Sequence, residues 1–408
     1  MSGVSDGKKK AVLLVTDTAP LYPPLWGGPK RIWGLYSDFS KEKFDITYVG
    51  STYSLGDKKY SLHRVRSNLR EILCVPPAHY YAWRTFEKMF FGNNLSLDLF
   101  FYLGMKSDMQ FRHILASQDA DIVVCSHPWS SPCIKKDKNK LFIYDAHNCE
   151  YLLMAQILGT HPLRRPVLSW VRAIEGDACK KSDLILACSE REKQDLTELY
   201  KLDPKKIIIV NNGTKVADRT TVEKKTSGRK ALNLMRDDKV AIFVGAYYKP
   251  NIDALQFMVN ELAPSMKEWK FLVLGTVCDF FRQQKLPENM VLLGKVSEEY
   301  LDLALGASDV ALNPMFSGSG INIKMLDYMS HGLPVVTTDC GARGIETFGR
   351  RPMLISSTEK FSENIRTLAG DRSEYARMSE DGRSLVAEHY DWEKISGKLQ
   401  EVIIRLIR

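Results

Sequence analysis

The chain has 408 residues, a 44% hydrophobic fraction, a 26% charged fraction and a formal net charge of +8. That length is too great for one ordinary core and suits two domains, and the composition excludes disorder as the overall state. Charge alone leaves nucleic acid, anionic lipid and nucleotide phosphates open as partners.

At the N-terminus, MSGVSDGKKK precedes an apolar run of only Ala11 to Val15. A signal peptide needs a longer apolar region and a small-residue cleavage site, and a membrane span needs about 18 apolar residues. The reading is a protein that stays in the cytoplasm. The eight cysteines contain no CxxC pair, and Cys125, Cys179 and Cys188 fall in predicted elements. They read as small buried apolar residues in a reducing compartment, and their spacing argues against zinc.

In chain order, β-branched runs predict strands at Ala11–Asp17, Phe44–Gly50, Asp121–Ser126, Leu141–Ala146, Leu184–Ser189 and Ile207–Asn211. Amphipathic segments predict helices at Pro29–Ser40, Pro162–Lys181 and Glu190–Tyr200, with Pro29 suited to a first helical turn. Alternating strands and helices mean βαβ units and a parallel sheet, and near-continuous apolar strands mean a sheet covered on both faces. Residues 214–238 are polar, mixed in charge and without a strong period, and read as a linker. The alternation restarts with strands at Val240–Gly245, Lys270–Gly275, Met290–Val296, Asp309–Pro314, Pro334–Asp339 and Pro352–Ser356. Helices are predicted at Asn251–Met266, Glu298–Ala307 and Asn322–His331, with a terminal one over Asp391–Arg408. The fold class is α/β, with domains at 1–213 and 239–390 and the terminal segment 391–408.

Ligands of open parallel sheets bind beyond the carboxyl ends of the strands. After the first strand, Gly27 and Gly28 stand just before a helix, where backbone can approach an anion closely; the alternative is a flexible, proline-rich turn. In YDAHNCEY, His147 ends a strand and can bond a hydroxyl or move a proton, or it caps the local structure. His127 is the weaker candidate of the same kind. The most specific signal is MFSGSGINIKMLDYM. Gly318, Ser319 and Gly320 lie between strand and helix, so free N–H groups can cradle a phosphate. Lys324 follows about one turn later as a point charge, and Asp327 shares its face with a carboxylate suited to a ribose. The alternative there is a tight turn with a surface Lys–Asp pair. In FVGAYYKPN, Gly245 ends a strand, and Lys249 either reaches a diphosphate or is an exposed loop lysine.

Together these residues resemble the retaining glycosyltransferases of family four, in the branch with GSG followed by a basic residue. The resemblance rests on GGPKRI, DAHN, VNNG, FVG with KPN, and the GSG segment, and it covers most of the chain. It implies the GT-B fold, two Rossmann-like domains facing a central cleft, with the terminal helix returning to the first. It implies that His147 contacts the donor sugar and that Gly27 and Gly28 lie near the donor phosphates. Ser319, Gly320, Ile321 and Asn322 would give backbone contacts to the diphosphate. Lys324, with Lys249, would neutralise it, and Asp327 would bind the ribose. The donor would be a nucleotide sugar, a substrate rather than a cofactor. No metal is expected, because protein cations and a helix dipole replace it. The chain departs from the family in carrying Ser319 and Asp327 for a glutamate pair, and Ala246 where an arginine often follows the FVG glycine.

Two alternatives to an active transferase are an inactive GT-B scaffold subunit and a sugar-nucleotide epimerase. Scattered basic residues and the lack of a recognised module argue against nucleic acid. For the acceptor, His79–Tyr102 carries Tyr80, Tyr81, Trp83, Phe86, Phe90, Phe91, Phe100 and Phe101 with Arg84 and Lys88. The stretch Pro162–Arg172 adds Arg164, Arg165, Trp170 and Arg172. These suit either an anionic membrane interface, with a lipid-linked or glycan acceptor, or a packed core.

Overall fold

The computed structural model describes residues 10–25, 27–52, 60–76, 78–91, 106, 108–318 and 321–407. The chain divides into two compact units, Met1–Asn211 with Ser396–Arg408, and Asn212–Ile395.

The first unit carries strands β1 (Ala11–Thr16), β2 (Phe44–Ser51), β3 (Tyr60–Arg66), β4 (Leu69–Cys74), β5 (Ile122–Ser126), β6 (Leu141–Ala146), β7 (Leu184–Ala187) and β8 (Ile207–Ile209). Their order is β3-β4-β2-β1-β5-β6-β7-β8, parallel throughout except for the antiparallel β3–β4 pair at one edge. That hairpin escapes the apolar-run criterion because its outer strand is largely exposed and carries Arg64 and Arg66, and its inner strand is interrupted by Arg70 and Glu71. Charged, exposed residues are how an edge strand resists pairing with another chain. The helices are α1 (Gly27–Tyr36), α2 (Ala78–Phe91), α3 (Met109–Ser117), α4 (Glu150–Leu158), α5 (Arg164–Lys181) and α6 (Glu190–Tyr200). Helix α4 has no capping side chain of its own. Instead the buried Glu175 on α5 accepts the Glu150 and Tyr151 N–H groups at 2.8 and 3.0 Å.

The second unit opens with α7 (Val222–Ala231), inside the stretch that composition reads as a linker. Two contacts explain the helix. Arg229 is buried and pairs with Asp309 at 2.8 Å, and Gly228 lets the α7 backbone approach Leu303, whose carbonyl lies 3.2 Å from where a Cβ would stand. Neither contact is visible to an amphipathicity criterion. Strands β9 (Lys239–Val244), β10 (Trp269–Leu274), β11 (Met290–Gly294), β12 (Val310–Asn313), β13 (Val335–Thr337) and β14 (Met353–Ile355) form one parallel sheet in the order β11-β10-β9-β12-β13-β14. Alternate residues face opposite cores. Ala241 and Phe243 join Phe271, Val273 and Leu312 on one side, while Val240 and Ile242 join Leu272, Leu274 and Ala311 on the other. This is the period-two pattern of a sheet covered on both faces. The longer helices are α8 (Lys249–Phe257), α9 (Glu298–Ala307), α10 (Ile323–Ser330), α11 (Phe361–Gly370), α12 (Arg372–Leu385) and α13 (Trp392–Leu406). The last runs on across the boundary between the units. Among the described residues, no helix is long and apolar enough to cross a membrane, and all eight cysteines are free thiols.

The ends of β9 and β10 approach so closely that only glycine fits. Gly275 has φ +97°, and a Cβ there would lie 2.1 Å from the Gly245 carbonyl oxygen. Both the φ and the clash forbid an L side chain. Gly275→Ala is expected to destabilise the second unit by about 3 kcal/mol, lowering its Tm by roughly 6–12 °C in calorimetry.

Candidate functional site

In the first unit, strand order reverses around β1, whose neighbours are β2 and β5. Registers Thr16↔Cys125 and Ser126↔Asp145 bring the carboxyl ends of β1, β5 and β6 level. Asp17, His127 and His147 therefore gather just beyond them. The His127 and His147 rings lie 3.9 Å apart. His127 Nδ1 pairs with Asp17 Oδ1 at 3.0 Å, and His127 holds φ +60°, a left-handed conformation unusual for a residue with a side chain. Gly28 passes over the pair. A Cβ there would lie 3.4 Å from His127 and 3.8 Å from His147 Nδ1. Gly27 begins α1 and is exposed.

Beneath the histidines is a buried ion pair that the sequence reading did not single out. Arg31 donates through Nε and Nη2 to Asp145 Oδ1 at 2.9 and 2.7 Å, and through Nη1 to the Val210 carbonyl at 2.8 Å. The other carboxylate oxygen meets Ser126 Oγ at 3.3 Å and His147 Nε2 at 3.2 Å. Burial by itself would raise the Asp145 carboxyl, but Arg31 and then His147 outweigh it and hold it well below the usual carboxylate range. An ionised carboxylate only accepts, so His147 Nε2 carries the proton. With the ring neutral, Nδ1 is then an acceptor suited to a hydroxyl. Asp145 lies two residues before His147, and a strand places such pairs on one face, so this partner was legible. Arg31 was not: on α1 it reads as an ordinary helical arginine.

In the second unit, order reverses around β9, between β10 and β12. Gly245 closes β9, and the segment after β12 leads through Gly318, with φ +134°, toward α10. Ser319 and Gly320 lie outside the described residues. Ile321 is buried, and Asn322 occupies the N-cap of α10 without bonding its own helix. Its amide donates instead to the Gly341 carbonyl at 3.1 Å. The first turn of α10 is thus left without a side-chain cap, which favours an anion there.

Lys324 is half-buried, and its partners are all neutral. Its Nζ donates to Asn251 Oδ1 at 2.8 Å, lies 3.7 Å from Met315 Sδ and stands 4.3 Å from the centre of the Phe243 ring. Among the described residues it has no carboxylate partner, and burial pushes its ammonium down to about 7. A cation held this way is poised for an anion from outside. Lys249 is placed differently. It is exposed and pairs with Asp253 on its own helix, so the structure does not bring it to Lys324. Asp327 accepts the Thr214 hydroxyl at 2.5 Å. Among the described residues, no group of His, Cys, Asp and Glu is arranged to hold a metal ion.

Comparison with known proteins adds a family. Residues 76–218 match the model of glycosyltransferase family 4, and residues 238–371 match that of glycosyl transferases group 1. Between them the two models cover more than half of the chain. An uncharacterised glycosyltransferase of Methanocaldococcus jannaschii is 24% identical over 238 residues, which are 56% of this chain and 60% of that relative. The match therefore spans less than two thirds of that relative's length. Among solved structures, sucrose-phosphate synthase from Thermosynechococcus elongatus aligns with a TM-score of 0.76 at 13% identity, over 97% of this chain and 99% of that one. The Anabaena protein HepE, solved with UDP and glucose, aligns with a TM-score of 0.65 at 12% identity, over 96% and 98% of the two chains. At such identities, these likenesses show a shared fold.

The neutral, buried His147 has a measurable consequence. Burial, aided by His127, lowers its imidazole from an ordinary 6.5 to about 4. Between those values the unfolded chain binds the extra proton and the folded chain does not, so stability rises with pH there. Stability is expected to fall by on the order of 3 kcal/mol as pH drops from about 6.5 to about 4. Denaturant titrations should show this slope flattened in His147→Gln.

Proposed function

This chain belongs to the glycosyltransferases of the GT-B fold, and we propose that it moves a sugar from a nucleotide-sugar donor to an acceptor hydroxyl with retention and without a metal. The observation that carries the reading is Lys324, a half-buried cation with neutral partners beside an uncapped helix start. A nucleoside diphosphate suits that arrangement. Backbone N–H groups after Gly318 and at the start of α10 would meet its oxygens, and Lys324 would neutralise it. The Anabaena protein of the same fold was solved with UDP and glucose, which supports a nucleotide-linked donor.

In the proposed reaction the bond from the anomeric carbon to the phosphate oxygen breaks, and its electron pair stays on the phosphate. The acceptor oxygen bonds to the same face of the anomeric carbon, and its proton passes to the departing phosphate. Negative charge thus grows where Lys324 and the helix N–H groups stand, which is where preorganised donors accelerate reactions most. His147, its Nε2–H held by Asp145, would accept a hydroxyl of the donor sugar at Nδ1. Asp327 would take the ribose on exchanging its bond from Thr214. An inactive scaffold subunit would have no use for an ammonium kept without a carboxylate partner.

For the acceptor we propose a lipid-linked molecule or glycan met at an anionic membrane surface, with the protein peripheral on it. Part of the aromatic stretch is core: Tyr80 is buried, and Trp170 packs against the cluster around Trp129. Phe100 and Phe101 fall outside the described residues. Phe86, Met89 and Phe90, however, are exposed on α2, and His161 Nε2 bonds the Phe90 carbonyl at 3.0 Å. Leu163, Arg164 and Arg165 beside His161 are exposed as well. Apolar side chains flanked by cations suit an interfacial helix.

Three outcomes test these readings. Lys324→Ala should lose about 3 kcal/mol of transition-state stabilisation, roughly a hundredfold in turnover, with an unchanged circular dichroism spectrum. Because the free ammonium titrates near 7, affinity for a nucleoside diphosphate should decline as pH rises above about 7, and Lys324→Arg should flatten that decline. For the membrane, the protein should float with anionic vesicles at low salt and be partly released as salt screens the arginines. Indifference to vesicles, together with full activity on a soluble sugar acceptor, would sink that part of the proposal.

A further inference from the structure

Arg343 follows the short helix Asp339–Ala342 in the loop after β13. The other half-buried or buried arginines of the second unit are committed. Arg229 pairs with Asp309, Arg350 with Glu388, Arg377 with Asp381, and Arg383 donates to the Ser330 and Ala217 carbonyls. Arg343 is also half-buried, yet its guanidinium has no hydrogen-bond or ion-pair partner among the described residues.

Its position is built rather than incidental. Strands β12 and β13 are neighbours, and the loops beyond them are tied together. Thr338 Oγ1 donates to the Met315 carbonyl at 2.5 Å, and both Asn313 Nδ2 and Asn322 Nδ2 donate to the Gly341 carbonyl at 3.1 Å. Gly341 itself admits no side chain, since a Cβ would stand 2.2 Å from Thr337 Oγ1 and 2.6 Å from the Asn313 carbonyl oxygen. The backbone two residues before Arg343 is therefore clamped. From there, Arg343 Nη2 comes within 3.7 Å of the Cβ position of Gly318. Lys324 touches the same loop at Met315. Two cations thus border the loop after β12, Arg343 at Gly318 and Lys324 at Met315, and among the described residues neither has a carboxylate partner. The loop after β9 offers no rival, because Ala246 is uncharged and Lys249 is taken by Asp253.

We propose that Arg343 is a second cation of the donor site, its planar fork pairing with the phosphate of a diphosphate group that Lys324 does not hold. This rests on the assignment of Gly318 and Lys324 to the donor diphosphate. A guanidinium matches two oxygens of one phosphate at once, and charge-assisted bonds of this kind are about twice as strong as neutral ones.

The test is titration calorimetry of the full chain with inorganic pyrophosphate and with orthophosphate. Arg343→Gln should weaken pyrophosphate binding roughly tenfold and orthophosphate binding by less than about threefold, while Arg343→Lys recovers part of the loss. The thermal transition without anion should not move, because among the described residues the guanidinium has no partner to lose. Undiminished pyrophosphate affinity in Arg343→Gln, alongside its loss in Lys324→Ala, overturns the role of Arg343 and leaves the donor site standing. An equal loss for both anions also overturns it, marking Arg343 as a general attractor. No pyrophosphate binding by the unmodified chain, or none lost in either variant, overturns both assignments.

Discussion

A strand covered on both faces has no room for an unpaired polar side chain, because each would lose its water without a replacement partner. Both sheets here are of that kind, with Val240 and Ile242 facing one core and Ala241 and Phe243 the other. Chemistry is thereby displaced to the ends of the strands. Asp17, His127 and His147 appear one step beyond β1, β5 and β6, and Gly245 and Gly318 beyond β9 and β12. In each unit the place is the point where strand order reverses, since only there do neighbouring loops part and leave backbone groups open.

The two ends are built in opposite electrostatic senses. In the first unit the charges are matched internally. Asp145 receives Arg31 on one oxygen and His147 with Ser126 on the other, so a buried carboxylate is satisfied throughout and can orient an imidazole. Such a pair contributes definition more than stability, because desolvating both ions offsets most of their attraction. In the second unit the charge is unmatched. Lys324 is surrounded by an amide oxygen, a thioether and an aromatic face, which stabilise an ammonium only weakly. That arrangement costs the empty protein stability, a cost that an anion at the ammonium would relieve.

Asn322 joins the start of α10 to the loop after β13. An asparagine at an N-cap normally bonds its own helix. Here its amide is drawn away to the Gly341 carbonyl, which ties the α10 start to the loop after β13 and leaves the helix N–H groups open. Local preferences overridden in favour of distant contacts are concentrated at functional sites, which is in keeping with the role proposed for this helix start.

Local chemistry determined much of this from the sequence alone. Apolar runs and turn residues marked the parallel strands other than β4 within a residue or two, because burial on both faces imposes a composition that no loop shares. The GSG segment, Lys324 and His147 were legible because glycines, a cation and a strand-ending histidine are tied to position along the chain. Asp145 was within reach for the same reason, two residues from His147. Other features belonged to the tertiary structure. Helix α7 stands in a stretch whose composition resembles a linker, since its support is the Arg229–Asp309 pair across 80 residues of chain. Arg31, His127 against His147, and an Arg343 without a partner among the described residues could not be read in advance. Each depends on which loops meet, and whether a charged side chain is spent or free is decided by neighbours far away in sequence. Periodicity records which face a residue turns to the core, and only the folded chain shows what stands opposite it.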